Sequence, residues 1–273
     1  MFRHPSGHGC RIVITTETVH VSSLNFSPRV PVIDANVCVG NHHTGPSPCQ
    51  SPVQLLEEMD FHGVERAVIY HAQGEQISPT DGNRYLEDWL DEDGRLIPQW
   101  SVAPVETSMG QIAELHGRGR VRSVRLHDCQ SAGLPFLPWG YDDLLTFLSD
   151  AGIPLWIPLM DVETDHLVTT LKAYPDLHAV LVGAHYTHAL VVRGLLEASP
   201  RAVLELSRYE PIGEVEALVE RFGAERFVYG SWYPRYAMGP ILFYLHHTRM
   251  GEDELARVCA GNVERLLGRT ETS

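Results

Sequence analysis

Short apolar runs alternate with longer segments of helical period from about residue 31 to the end of the chain. Apolar runs of four to eight residues read as buried strands, and apolar positions spaced by three and four read as helices. Val30–Val37 precedes a helix over Pro52–His62, and Ala67–His71 precedes one around Gly82–Leu90. Leu96–Ala103 precedes Met109–Gly117, and Val121–His127 precedes Tyr141–Ala151. Pro154–Leu159 precedes Asp161–Ala173, Ala179–His185 precedes Leu190–Ala198, and Ala202–Ser207 precedes Gly213–Phe222. Arg226–Gly230 precedes Pro240–His247, and Glu252–Leu267 closes the chain. Leu144, Leu145 and Leu148 share one helical face that Gly152 ends, and Gly223 follows Val215, Leu218 and Val219 as a C-cap. Strands that alternate with helices pair in parallel through crossovers, and eight such units close a barrel. The expected fold is α/β, one (β/α)8 TIM barrel over 30–273.

The first 29 residues fall outside this alternation and read as an N-terminal arm. Within it Arg11–Ser22 alternates and is rich in Val, Ile and Thr, as a short β extension would be, while residues 1–9 read as a mobile tail. At 273 residues and 44% hydrophobic content the chain can bury one barrel core. Thirty-five acidic against 21 basic residues give a net charge of −14, which repels phosphate backbones and argues against a nucleic-acid partner. No apolar run reaches the roughly 20 residues of a membrane helix. Five cysteines, an odd number with no C-x-x-C spacing, favour reduced thiols and a cytoplasmic setting.

In such a barrel the chemistry lies at the C-terminal ends of the strands. That rule singles out Asn36, Cys38, His71, Trp100, Arg125, His127, Trp156, Pro158, Gly183, His185, Glu205, Ser207, Ser231 and Trp232. Alternation puts Asn36 with Cys38, Arg125 with His127, and Glu205 with Ser207 on shared faces. An arginine inside a barrel needs an anion, either a substrate carboxylate or, structurally, Glu205. His185, His127 and His71 suit proton transfer or, equally, the capping of loop carbonyls. Trp156 and Trp232 suit filling of the barrel mouth. The adjacent pairs His42/His43 and His246/His247 point apart and suit a shared metal poorly.

"VIDANVCVG" at 32–40, "LLEEMDFHGVERAVIY" at 55–70, "DEDGRLIPQWSVAP" at 91–104, "AYPDLHAVLVGAH" at 173–185, "RFGAERFVYGSWYP" at 221–234 and "GNVERLLG" at 261–268 occur in order. Together they resemble the amidohydrolase-related metal-dependent hydrolases, the branch that includes aminocarboxymuconate-semialdehyde decarboxylase. The resemblance implies a divalent metal held by His-x-His on the first strand, histidines on the fifth and sixth, and an aspartate on the eighth. This chain departs at each place. Asn36 and Cys38 replace His-x-His, and the fifth strand offers Trp156 and Pro158. Gly183 stands on the sixth strand, and "GSWYP" puts Trp232 where the acid belongs. Asparagine is a weak ligand, and proline and tryptophan are not ligands.

The expectation is therefore a hydrolase or lyase (decarboxylase) with a degenerate metal site, acting on a small carboxylated molecule. Arg125 would bind the carboxylate, Asn36, Trp156, Glu205, Ser207 and Trp232 would surround it, a histidine would move protons, and Cys38 would bind or attack. No cofactor is expected, with zinc on a relocated His71–His127–His185 site as the alternative. A non-catalytic barrel that binds a small ligand or partner is the competing reading, and a homo-oligomer a third.

Overall fold

A computed structural model describes residues 26–42 and 45–268. Most of the expected arm over 1–29, including the Arg11–Ser22 extension, lies outside the described residues, as does His43. The elements run β1 (Ile33–Val39), α1 (Pro52–His62), β2 (Arg66–His71), α2 (Ala72–Gln76), α3 (Pro79–Glu87), β3 (Leu96–Pro98), β4 (Trp100–Val102) and α4 (Glu106–Gly117). They continue through β5 (Val124–Leu126), α5 (Pro138–Asp150), β6 (Leu155–Pro158), α6 (Thr164–Ala173), β7 (Ala179–Val182), α7 (Ala189–Ala198), β8 (Val203–Glu205) and α8 (Glu214–Phe222). β9 (Phe227–Val228), α9 (Gly239–His246), α10 (Glu252–Ala256) and α11 (Asn262–Leu267) complete the chain.

All strand pairs are parallel, in the orders β1-β2-β3 and β4 through β9. β3 and β4 are one stave interrupted at Gln99, whose N–H still donates to Ile69 O at 2.8 Å. The stave beginning at β9 returns to β1. Ala35 N donates to Tyr229 O at 3.1 Å and Cys38 N to Tyr233 O at 2.7 Å. The eight expected staves thus close a (β/α)8 barrel.

The helices start and stop where their sequences dictate. Ser51 caps α1 by accepting from Gln54 N, Pro52 takes the first helical position, and Gly63 ends the helix at φ 70°. Tyr141, Leu144, Leu145 and Leu148 form the buried stripe of α5, and Gly152 at φ 64° turns the chain beyond it. The barrel interior is filled by Ile33, Ala35, Val68, Ile97, Trp156, Val180, Val182, Val203 and Val228, against which Val263, Leu266 and Leu267 of α11 pack. A larger apolar layer separates the staves from the helices.

Most of the differences that shape the site lie just after the strands. The second connection carries an extra short helix, α2, directly after His71. α6 begins at Thr164, which leaves Asp161 in the loop after β6. β7 stops at Val182, because Gly183 adopts φ 76°. The closing segment Glu252–Leu267 is not one α-helix but two, joined by a π-helical stretch over Arg257–Gly261.

Candidate functional site

A pocket of about 650 Å³ opens at the C-terminal ends of the strands. Its walls include Cys38 and Tyr70 from the strands, Glu75 and Gln76 of α2, and Asp128, Met160, Asp161, Trp232 and Arg235 from the loops that follow β5, β6 and β9. Of the fourteen residues singled out from the sequence, Cys38, Pro158 and Trp232 line this pocket.

Beneath it lies a buried polar chain. Arg125 is fully buried and donates from Nε and Nη2 to Glu75 Oε1 at 2.8 and 2.6 Å. Its guanidinium lies 3.7 Å from the centre of the Tyr70 ring, a cation–π contact. Arg125 Nη1 reaches Asn36 Oδ1 at 3.3 Å, and Asn36 Nδ2 donates to Glu205 Oε2 at 3.1 Å. Glu205 also accepts from Gly183 N at 2.8 Å, Ser207 Oγ at 2.6 Å and Ser207 N at 2.7 Å. Burial raises the Glu205 carboxyl above its ordinary range even against these donors. The expected pairing of Arg125 with Glu205 is therefore corrected. Its ion partner is Glu75, and Asn36 bridges the two acids. With no exposed surface, Arg125 is occupied within the protein rather than presented to a ligand.

Trp156 is equally buried, and its Nε1 donates to Ala35 O at 3.0 Å. It fills the barrel interior, not the mouth. The three histidines do capping work. His71 Nδ1 accepts from Gln73 N at 3.2 Å at the start of α2, and His127 Nδ1 meets Gly74 O at 2.9 Å. His185 caps the turn Tyr186–His188, with Nδ1 3.1 Å from Thr187 Oγ1. None of them lines the pocket. Burial pushes the Cys38 thiol up to about 12, which starves it of the thiolate a nucleophile needs.

The residues at the resemblance's metal positions do not fit a metal. Asn36 has both amide atoms engaged, and the Trp156 ring N–H is spent on a carbonyl. Trp232 sits at φ 57°, a backbone region disfavoured for a bulky side chain, and that turn lays its indole against Gly183. A Cβ at residue 183 would lie 3.0 Å from the ring, so no ligand side chain coexists there with this indole. Among the described residues no group of three His, Cys, Asp or Glu is placed to hold a metal ion, and the His71–His127–His185 alternative fails with it.

Sequence reading missed Glu75, Tyr70, Asp161 and Arg235. Asp161 carries the clearest signal, standing three residues after Pro158 at a strand end. Its carboxyl is raised to about 7 by burial, with Glu75 and Asp128 adding like-charge repulsion. A second carboxyl, Asp34, is fully buried between β1 and the last stave. Its Oδ1 accepts from Asn36 N at 3.0 Å and Ser231 N at 2.9 Å, and its Oδ2 has no hydrogen-bond partner. Burial raises it to about 7.

The family model described as amidohydrolase matches residues 40–269. No curated protein matches the chain. Solved structures do. An uncharacterised TIM-barrel protein from Bordetella bronchiseptica is 19% identical, with 89% of this chain and 100% of that one covered and a TM-score of 0.72. 5-Carboxyvanillate decarboxylase from Sphingomonas paucimobilis is 15% identical over 87% of this chain and 99% of that one, with a TM-score of 0.66. A Pseudomonas putida protein named as a 2-pyrone-4,6-dicarboxylic acid hydrolase by assignment is 19% identical over 88% of this chain and 98% of that one, with a TM-score of 0.64. At these identities the likeness carries the fold.

Proposed function

The chain belongs to the amidohydrolase family, and from that premise we propose that it is a hydrolase or lyase that handles a small carboxylated molecule without the family's metal. One observation carries the reading. Among the described residues Arg235 has no carboxylate partner, yet it lines the pocket with its guanidinium 4.5 Å over the Trp232 ring. A guanidinium resting near an aromatic face keeps its N–H fork available to a carboxylate. It takes the role expected of Arg125, which Glu75 occupies. Two similar structures are named for action on carboxylated rings, which supports the same class of substrate. The cytoplasmic setting expected from the sequence is consistent with Cys38, Cys49, Cys129 and Cys259, all free thiols.

Metal chemistry fits this site poorly because of its residues. Where the family would place a strand-eight acid and a strand-six histidine, the chain has an indole packed on a glycine. The test is a screen of 5-carboxyvanillate, 2-pyrone-4,6-dicarboxylate and simple hydroxybenzoates with the wild type and with Arg235→Ala. Turnover in the wild type with a KM at least tenfold higher in the variant supports the assignment. Turnover with an unchanged KM removes Arg235 from it. The second reading, a barrel that binds without turnover, is favoured by the capping roles of His71, His127 and His185. Stabilisation by one of these compounds without product formation would establish it.

A further inference from the structure

Among the described residues three carboxyl side chains reach the pocket wall: Glu75, Asp128 and Asp161. Two are committed to the protein. Glu75 holds Arg125, and Asp128 accepts from Ser131 N at 3.0 Å and from the Ser131 hydroxyl. Asp161 is different. Its backbone is tied down, with its N–H donating to Pro158 O at 3.1 Å, but among the described residues its carboxyl makes no hydrogen bond or ion pair. Arg235 reaches the same loop, with Nη1 3.4 Å from Met160 Sδ. A carboxylate held by Arg235 is thereby brought beside the one uncommitted acid of the described pocket.

Resting on the function proposed above, we infer that Asp161 is the acid–base residue of the pocket, the group that gives or takes a proton at the bound molecule. In the giving direction the O–H bond of its carboxyl breaks and the proton forms the new bond to the reacting atom. The remaining carboxylate then regains a proton from solvent through the pocket mouth. The charged groups that face it are Glu75 from α2, Asp128 and Arg125 from β5 and the loop after it, and Arg235 from the loop after β9. Glu75 and Asp128 favour the protonated form, Arg125 and Arg235 oppose it, and burial decides for the acid. A carboxyl that titrates near neutral pH suits transfer in either direction.

The experiment compares the full chain with Asp161→Asn and Asp161→Glu. On any compound that the wild type turns over, Asp161→Asn should lower kcat by about 100-fold or more, change KM less than threefold, and erase the limb of the pH–kcat profile near 7. Asp161→Glu should restore part of the rate with a shifted limb. Unchanged kcat and profile in Asp161→Asn overturn the assignment and leave the enzyme reading standing. A wild type without turnover sinks that reading instead, and a ligand-free measurement then decides for Asp161. In protein carrying 13C-carboxyl aspartate, the resonance that disappears in Asp161→Asn should titrate with a midpoint near 7. A midpoint below 5 overturns the assignment.

Discussion

The indole of Trp232 occupies the space in front of Gly183, so that a Cβ at 183 would lie 3.0 Å from Cη2 and from Cζ3 of the ring. Each residue needs the other. Trp232 can lie there only because residue 183 has no side chain, and Gly183 accepts φ 76° without the penalty an L-residue meets. The pair converts what the resemblance marks as a ligand-bearing corner into a packed wall.

Gly183→Ala should therefore destabilise the protein by about 1–3 kcal/mol, combining a left-handed backbone with overpacking against an aromatic ring. Urea unfolding of the variant measures it. Trp232→Ala/Gly183→Ala should be less destabilised at residue 183 than the sum of the single variants, since the overpacking is gone. Strict additivity would mean that the two residues are independent.

Glu75→Gln should cost about 3–5 kcal/mol, because it leaves the buried Arg125 guanidinium uncompensated. Replacing both, Arg125→Met with Glu75→Leu, should recover most of that loss, as an apolar pair often does where an ion pair was buried. A double variant as unstable as Glu75→Gln alone would show that the pair matters through Tyr70 or Asn36 packing rather than charge.

His127→Ala and His185→Ala should cost about 1 kcal/mol each through lost caps. On any compound that the protein turns over, kcat should change less than threefold. A loss of 100-fold or more in either variant would return the histidines to the chemistry.

These outcomes mark what was legible in the sequence. The eight staves were, because Val, Ile and Leu runs alternate with helical stripes such as Leu144–Leu148, and period is read locally. Asn36, Glu205 and Ser207 were found by the strand-end rule and do meet, linked by Asn36 Nδ2 and Ser207 Oγ. Their roles were not legible. Glu75 rides on α2, a helix of five residues that is too short to show a period, so the partner of Arg125 went unseen. Asp161 was read as the first residue of α6, which starts at Thr164. Arg235 follows Trp232 by a turn whose direction is set by the backbone at Trp232, and no sequence pattern announces a tryptophan at φ 57°.

Asp34 imposes a definite pH dependence. Its folded-state value of about 7 lies above its ordinary 3.8, so between those limits the folded state binds more protons than the unfolded chain. Stability from this group is fully present below about 4 and is lost as pH rises toward 7, with a slope of up to about 1.4 kcal/mol per pH unit. The unfolding free energy of wild type minus that of Asp34→Asn should fall from pH 4 to 7 and stay flat from 7 to 9. Urea unfolding at half-unit intervals checks the sign. A difference that rises with pH would mean that Asp34 is ionised in the folded state.

Dialysis against a chelator, followed by metal analysis and an assay on whichever carboxylated compound the protein turns over, tests the metal-free reading most directly. The expected result is a rate unchanged by chelation, in protein with metal far below one ion per chain, and no gain on adding zinc or manganese. Loss of the rate on chelation and its return with a divalent ion would contradict it.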